Sequence, residues 1–259
     1  MALFVDQLER NITLNEPPKR IVSVVPSQTE LLYDLGLEDR VVGITKFCIH
    51  PDTWFRSKTR VGGTKNLNLE VIAALNPDLI LANKEENTKE EIEALAKLYP
   101  VWISDIYNLN DAYAMIKGIG EITNSRLAAD KIVQKISSNF SALEKLEHSA
   151  SCIYLIWKSP YMCAGTDTFI NDLLGLCGFQ NLIQGRYPVL TAKEIQKLNP
   201  EYILLSSEPY PFKEKHIKEL QLLCPNANIR LVDGEHFSWY GSRLINAPHY
   251  FNKLLKALN

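Results

Sequence analysis

The side chains best equipped for chemistry lie in loops that follow apolar runs. In the first half these are Phe47, His50 and Trp54, then the turn Gly62-Gly63-Thr64, then the polar stretch 83–87. In the second half they are Trp157, Tyr161, Arg186 and Tyr187, followed by Glu235-His236-Phe237-Ser238-Trp239-Tyr240-Gly241-Ser242-Arg243. That last run is rich in rings for a loop. Aromatic faces with a few polar groups suit a broad, partly apolar ligand. Arg186 and Arg243 suit an anionic group or the C-terminus of a helix. Each residue also has a duller role. Trp102 sits inside a strand-like run and reads as core, whereas Trp54, Trp157 and Trp239 stand between ligand platform and core. Cys163 with His236 would make a nucleophile and base, but nothing local supports the pair. Gly165-Thr166-Asp167 precedes a helix and would receive an anion there, although plain capping by Asp167 accounts for it equally well.

No local catalytic signature is present: there is no GxSxG, GxxxxGK[ST], HExxH or GxGxxG. A hydrolase assembled from distant residues stays open, because triads hide in sequence. A formal charge of −2 argues against nucleic acid as the main partner. The five cysteines, Cys48, Cys152, Cys163, Cys177 and Cys224, form no CxxC pair, and an odd number cannot all pair within the chain. The histidines lack ligand spacing, so no metal site is expected. No apolar run is long enough to span a membrane. Residues 1–20 carry Asp6, Glu9 and Glu16 and hold no signal-peptide core, so no export leader is expected there.

The elements that would position these loops follow from periodicity. Segments 3–5 and 12–14 read as a hairpin, and 21–25 as a buried strand. Ser27-Gln-Thr-Glu30 reads as a capping box opening a helix that Gly36 stops. Strands near 41–44, 79–82 and 101–103 alternate with helices near 69–75 and 89–98, which implies a mostly parallel sheet covered on both faces. Residues 110–147 contain no convincing strand. A helix near 111–122 precedes a longer one near 125–147, spanning roughly 35 Å at 1.5 Å per residue. A second α/β segment starts at 152–157. Asp167 or Thr168 caps its first helix, and Thr191-Ala-Lys-Glu194 is a second capping box. A helix 214–223, a strand 229–232 and a terminal helix from 247 complete it.

An internal repeat supports two similar halves. Ile72-x-x-Leu75-Asn76-Pro77-Asp78-x-Ile80-Leu81 matches Ile195-x-x-Leu198-Asn199-Pro200-Glu201-x-Ile203-Leu204. The reading is α/β: two Rossmann-like lobes with mostly parallel sheets, residues 1–110 and 148–259, flanking a helical segment 111–147.

Several stretches resemble one known family: Pro18-Lys-Arg-Ile-Val-Ser-Val-Val-Pro-Ser-Gln-Thr-Glu-Leu-Leu, Val41-Val-Gly-Ile-Thr, Asn68-Leu-Glu-Val-Ile-Ala-Ala-Leu-Asn-Pro-Asp-Leu-Ile and Leu198-Asn-Pro-Glu-Tyr-Ile-Leu-Leu. The family is that of the helical-backbone (class III) periplasmic substrate-binding proteins of ABC importers for vitamin B12, ferric siderophores and haem. The chain is most similar to the vitamin B12-binding members. The resemblance implies two lobes joined by one long rigid helix, an interlobe cleft, delivery to a permease with its ATPase, and no reaction on the binding protein. It implies no resident cofactor. The bound ligand would be a corrinoid, haem or ferric chelate, and the protein a monomer without membrane insertion. Phe47, His50 and Trp157 fall at or near ligand-facing positions of the family. Thr64, Asn83 and Val189 stand where the family has further rings, and Trp239 with Tyr240 would compensate. The ligand-binding set is therefore Phe47, His50, Trp54, Thr64, Trp157, Arg186, Tyr187, Phe237, Trp239, Tyr240 and Arg243. In the family an acid on each lobe docks on the permease. Glu70 matches the first; the second position falls on Lys193, with Glu194 the nearest acid.

The family places the protein in the periplasm or at the cell surface. A cytoplasmic sensor or carrier of the same ligand is the alternative that the N-terminus suggests. A two-domain enzyme using Cys163 and His236 is the third reading.

Overall fold

The structure is a computed structural model and describes residues 1–258. The final residue of the expected second lobe, 259, lies outside the described residues. The chain divides into two compact units. The first comprises Met1–Ile106, Asn110–Ser137 and Tyr240–Ile245; the second comprises Tyr107–Leu109, Ser138–Trp239 and the residues from Asn246 on.

The first unit is built on a five-stranded sheet in the order Thr59–Arg60, Val41–Ile44, Ile21–Ser23, Leu79–Asn83, Val101–Ser104, with every pair parallel. Ile21–Ser23, Leu79–Asn83 and Val101–Ser104 are buried at every position. This is why they read as continuous apolar runs rather than alternating ones. Val22, Ile80, Ile72, Ile92 and Val101 form a core on one side of the sheet. The expected hairpin is present as Ala2–Val5 paired with Asn11–Leu14. Asp6 anchors it. Its carboxylate accepts the amides of Leu8, Arg10 and Ile103 and pairs with the Arg10 guanidinium at 2.7 Å.

The helix Pro26–Asp34 corrects one expectation. Pro26 occupies its first turn, and Ser27 lies inside the helix rather than capping it. No cap bond forms; the Ser27 hydroxyl is buried without a partner. Glu30 turns instead to Arg243, which donates two bonds to its carboxylate at 2.9 and 2.7 Å. A bidentate guanidinium outcompetes the single amide that a capping box offers. Gly36, at φ +75°, ends the helix as expected.

The second unit has the sheet order Val189–Leu190, Tyr161–Ala164, Ala150–Trp157, Tyr202–Ser206, Asn228–Val232, with Phe179–Asn181 also pairing Ala150–Trp157. Ala150–Trp157, Tyr202–Ser206 and Asn228–Val232 run parallel. Tyr161–Ala164 and Val189–Leu190 are antiparallel additions too short to be legible from pattern. Thr168, not Asp167, caps Phe169–Leu176. The Thr191–Glu194 capping box forms as expected.

The repeat is structural as well as textual. Both copies end a seven-residue helix on a left-handed asparagine, Asn76 at φ 43° and Asn199 at φ 45°, followed by proline. Asparagine tolerates this region, and proline cannot continue the helix. The next acid then clamps the start of the neighbouring strand. Asp78 accepts the amides of Lys19 and Arg20, while Glu201 accepts the amide and hydroxyl of Ser151.

Leu109–Ile122 and Arg126–Ser141 are the two helices of the middle segment. The second is shorter than the expected 125–147. The Ala142 and Leu143 amides turn back to the carbonyls of Asn139 and Phe140; farther on, Glu144 donates to Asn252 and Leu146 to the Cys177 carbonyl. A serine- and asparagine-rich stretch near the end makes the helix easy to stop there. The segment Tyr240–Ile245 also departs from the expected boundaries, because it packs within the first unit.

Candidate functional site

In open α/β sheets the loops beyond the carboxyl ends of the strands form the ligand-binding edge.

In the first unit the loops are tied together by asparagines. Asn83 is 2% exposed, and its side chain oxygen accepts the amides of Glu85 and Glu86 at 2.9 Å. Asn87 donates to the carbonyls of Val24 and Thr64 at 3.0 Å and accepts from the Asn83 amide. Asn83 is therefore a structural post that ties these loops together. Thr64 is half-buried with its carbonyl engaged in this network. Beside it, Phe47 stands 51% exposed. A side chain on Gly63 would come within 3.2 Å of that ring, so the glycine lets the hairpin backbone lie against it. The Lys46 ammonium is 5.1 Å from the ring centre. Ile49 is exposed next to Phe47, and His50 is half-buried. Tyr240 is buried and points its hydroxyl at Glu86, 3.4 Å away.

Beneath these loops lies a sealed polar cluster. Thr29 donates to Ser23 and contacts Cys48 at 3.1 Å, and Thr45 meets the same sulfur at 3.1 Å. Burial pushes the Cys48 thiol up, with the Thr29 and Thr45 bonds opposing, and the side chain is a packed hydrogen-bonding group.

Two expected ligand residues of this unit are corrected. Trp54 is fully buried, edge-on to Tyr33 at 5.4 Å and covered by the Lys58 ammonium. It belongs to the core. Arg243 is committed to Glu30. Its five donors suit a planar carboxylate, and this one lies within the protein.

In the second unit Trp157 ends the strand Ala150–Trp157 and is 41% exposed. Tyr210 meets it edge-on at 5.6 Å. Arg186 and Tyr187 are half-buried, and the Arg186 guanidinium lies 4.7 Å from the Tyr107 ring. Phe237 is the third correction. It is fully buried among Tyr154, Tyr250 and Phe251, with ring centres 5.2, 6.4 and 4.6 Å away. Trp239 is only 7% exposed and donates its indole N–H to Glu208 at 2.9 Å. Ser238 donates to the same oxygen at 2.8 Å. Burial pushes the Glu208 carboxyl up, with the Glu235 and Asp233 carboxylates adding to the effect and the Ser238 and Trp239 bonds opposing it. Sequence reasoning missed Tyr210 and Glu208. Their only local signal is an acid and a ring on either side of Pro209.

The nucleophile reading also fails. Cys163 is fully buried, and burial raises its thiol to about 12, so it holds no thiolate near neutral pH. His236 is occupied by Asp233 at 3.0 Å and stacks on Tyr250 at 4.5 Å. The anion reading of the Gly165 turn fails as well. Thr168 caps the helix behind it, and a side chain on Gly165 would sit 2.1 Å from the Gly185 carbonyl. All five cysteines are free and buried. Among the described residues no group of His, Cys, Asp or Glu is placed to hold a metal ion, and no helix is long and apolar enough to cross a membrane.

Each unit thus carries a mostly parallel sheet with ring-bearing loops at its carboxyl edge. The family model for periplasmic binding proteins matches residues 21–222. The chain belongs to the periplasmic binding protein family. That family binds substrates and is not an enzyme family. The ABC transporter substrate-binding lipoprotein YvrC of Bacillus subtilis (strain 168) is 30% identical over 213 residues, 77% of this chain and 67% of the relative. The vitamin B12-binding protein of Pectobacterium carotovorum subsp. carotovorum (strain PC1) is 24% identical over 252 residues, 93% of this chain and 90% of that protein. Among solved structures, the periplasmic heme-binding protein BhuT in complex with two hemes shares the fold. Its TM-score is 0.80 at 20% identity, over 92% of this chain and 98% of that one.

Proposed function

We propose that this chain is the substrate-binding component of an ABC-type importer. In this reading it captures a ring-shaped metal complex and hands it to a permease without altering it. The observation that carries the reading is the pair of exposed rings at strand ends, Phe47 in the first unit and Trp157 in the second, each backed by a fixed neighbour. Flat apolar faces of this kind suit a macrocycle. The vitamin B12- and heme-binding relatives support that ligand class. A corrinoid is the first candidate, with haem or a ferric chelate as the second. The metal would arrive inside its organic complex, so the protein need supply no ligand atom to it. The lipoprotein relative and the periplasmic heme-binding neighbour support a place in the periplasm or at the cell surface.

Titration of cobalamin, cobinamide, haem and a panel of ferric siderophores, followed by visible absorption and tryptophan quenching, tests this. One class is expected to bind at micromolar or tighter affinity. Trp157→Ala should weaken that binding about tenfold or more, equivalent to about 1.4 kcal/mol. Flat titrations across the panel would remove the ligand assignment.

Docking on the permease rests on Glu70 in this reading. It lies exposed in the first turn of Leu69–Leu75, after the Asn68 cap, with no side-chain partner among the described residues. Its counterpart in the second copy of the repeat is Lys193, which is exposed. Glu194 is held by the Thr191 amide and hydroxyl, both at 2.7 Å, which keeps its carboxyl below the usual range. In vesicles carrying the transporter, Glu70→Lys is expected to cut ligand-dependent ATPase stimulation about tenfold. Glu194→Gln should leave it nearly intact. Equal losses from both would place the two acids in the same role.

A further inference from the structure

The stretch between the strand Tyr202–Ser206 and the helix Glu214–Leu223 is pinned at several points. Ser206 donates to the Glu208 carbonyl at 2.6 Å, and the Glu208 carboxylate accepts from Ser238 and Trp239. Gly234 packs so tightly here that a side chain on it would lie 2.4 Å from Ser206 Oγ and 2.6 Å from Glu208 Cγ. Two residues on, the Tyr210 amide donates to the Ile156 carbonyl at 3.3 Å, immediately before Trp157. The Tyr210 ring is then held by Phe212 at 4.8 Å and by His216 at 5.5 Å. The Lys213 amide donates to His216 Nδ1 at 2.9 Å, which leaves the imidazole proton on Nε2, facing the Tyr210 hydroxyl at 3.4 Å. Tyr210 is thus fixed by backbone, rings and a hydrogen bond. Its free contact is the edge-on one to Trp157.

We propose that Tyr210 is the positioning residue of the ligand platform: it sets the plane of the Trp157 ring before ligand arrives, and Glu208 and His216 hold Tyr210 in place. This rests on the reading that Trp157 touches the ligand. An exposed indole otherwise samples several rotamers, and ordering it opposes binding. A ring already set at a fixed angle avoids that loss and favours ligands whose flat face matches it. The segment therefore contributes to selectivity without contacting the ligand.

The test is a double-mutant cycle with cyanocobalamin and haemin as probes, thermal midpoints being recorded for every variant. Tyr210→Ala is expected to weaken the better probe about three- to tenfold in the Trp157 background and to change nothing in the Trp157→Ala background. Tyr210→Phe keeps the ring and should restore most of the affinity. Glu208→Gln keeps the acceptor and should behave like the parent, whereas Glu208→Ala should follow Tyr210→Ala. A merely structural role for Tyr210 would lower affinity equally in both backgrounds, and that result overturns the proposal alone. If a probe binds the parent and Trp157→Ala leaves its affinity unchanged, Trp157 does not touch the ligand and the proposal falls, while the ligand assignment stands. A ligand-free readout covers the case in which neither probe binds: the Trp157 emission, taken as the difference between the parent and Trp157→Phe. Tyr210→Ala should shift it to the red and raise its iodide quenching. Unchanged emission and quenching overturn the proposal.

Discussion

Phe237→Ala should lower the unfolding free energy by about 3–5 kcal/mol and leave the ligand affinity of the folded fraction unchanged. Phe237 is 0% exposed and packs against Tyr154, Tyr250 and Phe251. Deleting the ring removes its transfer free energy and leaves a hole that three aromatic neighbours are too bulky to collapse into. Domains are stable by only about 5–15 kcal/mol, so the alanine variant sits near the limit of folding. Phe237→Leu, expected to cost about 1–2 kcal/mol, keeps the comparison measurable. Urea unfolding followed by circular dichroism gives the energies, and titration of the same samples gives the affinities. A large loss of affinity at native stability would return Phe237 to the ligand site. The same logic applies to Trp54, buried at 0%.

The second large effect concerns the ion pair that replaced the expected capping box. Arg243→Ala and Glu30→Ala should each cost about 1.5–3 kcal/mol, and the double variant should cost clearly less than the sum. Exposed pairs contribute about 0–1 kcal/mol because solvent screens them. This one is different: the side chains are 15% and 20% exposed, the contact is bidentate, and it pins Tyr240–Ile245 onto the helix Pro26–Asp34. Removing one partner takes away a bidentate contact that is largely shielded from solvent. Arg243→Lys should recover only part of the stability, since an ammonium cannot reproduce the two parallel bonds. Additive single effects, or losses that vanish in moderate salt, would reduce the pair to an ordinary surface contact. If Arg243 bound an anionic ligand instead, its replacement would change affinity more than stability.

What the chain states locally it states clearly. The Leu-Asn-Pro turns are legible because a left-handed asparagine and a following proline are constraints of one or two residues. Both copies adopt them, and both use the next acid to clamp the neighbouring strand. The Thr191–Glu194 box, the Gly36 stop and the buried parallel strands belong to the same class: neighbours within a few residues decide them, so propensity and pattern suffice. The candidate site was legible only as a set of ring-bearing loops. Whether a ring in such a loop faces solvent or core depends on what the fold lays over it. Trp157 stays exposed because the strand carrying it ends there, against Tyr210, while Trp54 and Phe237 are enclosed by partners remote in sequence. Glu30 had two offers, a backbone amide three residues away and a guanidinium at residue 243, and the stronger one came from the far end of the chain. Past Ser141 the long helix ends: the Ala142 and Leu143 amides turn back to the Asn139 and Phe140 carbonyls, and Asn252 and the Cys177 carbonyl take the amides of Glu144 and Leu146. Local sequence thus determined the elements and the repeat. Tertiary structure alone decided which polar and aromatic groups were enclosed and which stayed exposed, because long-range partners compete for each group on hydrogen-bond strength and burial.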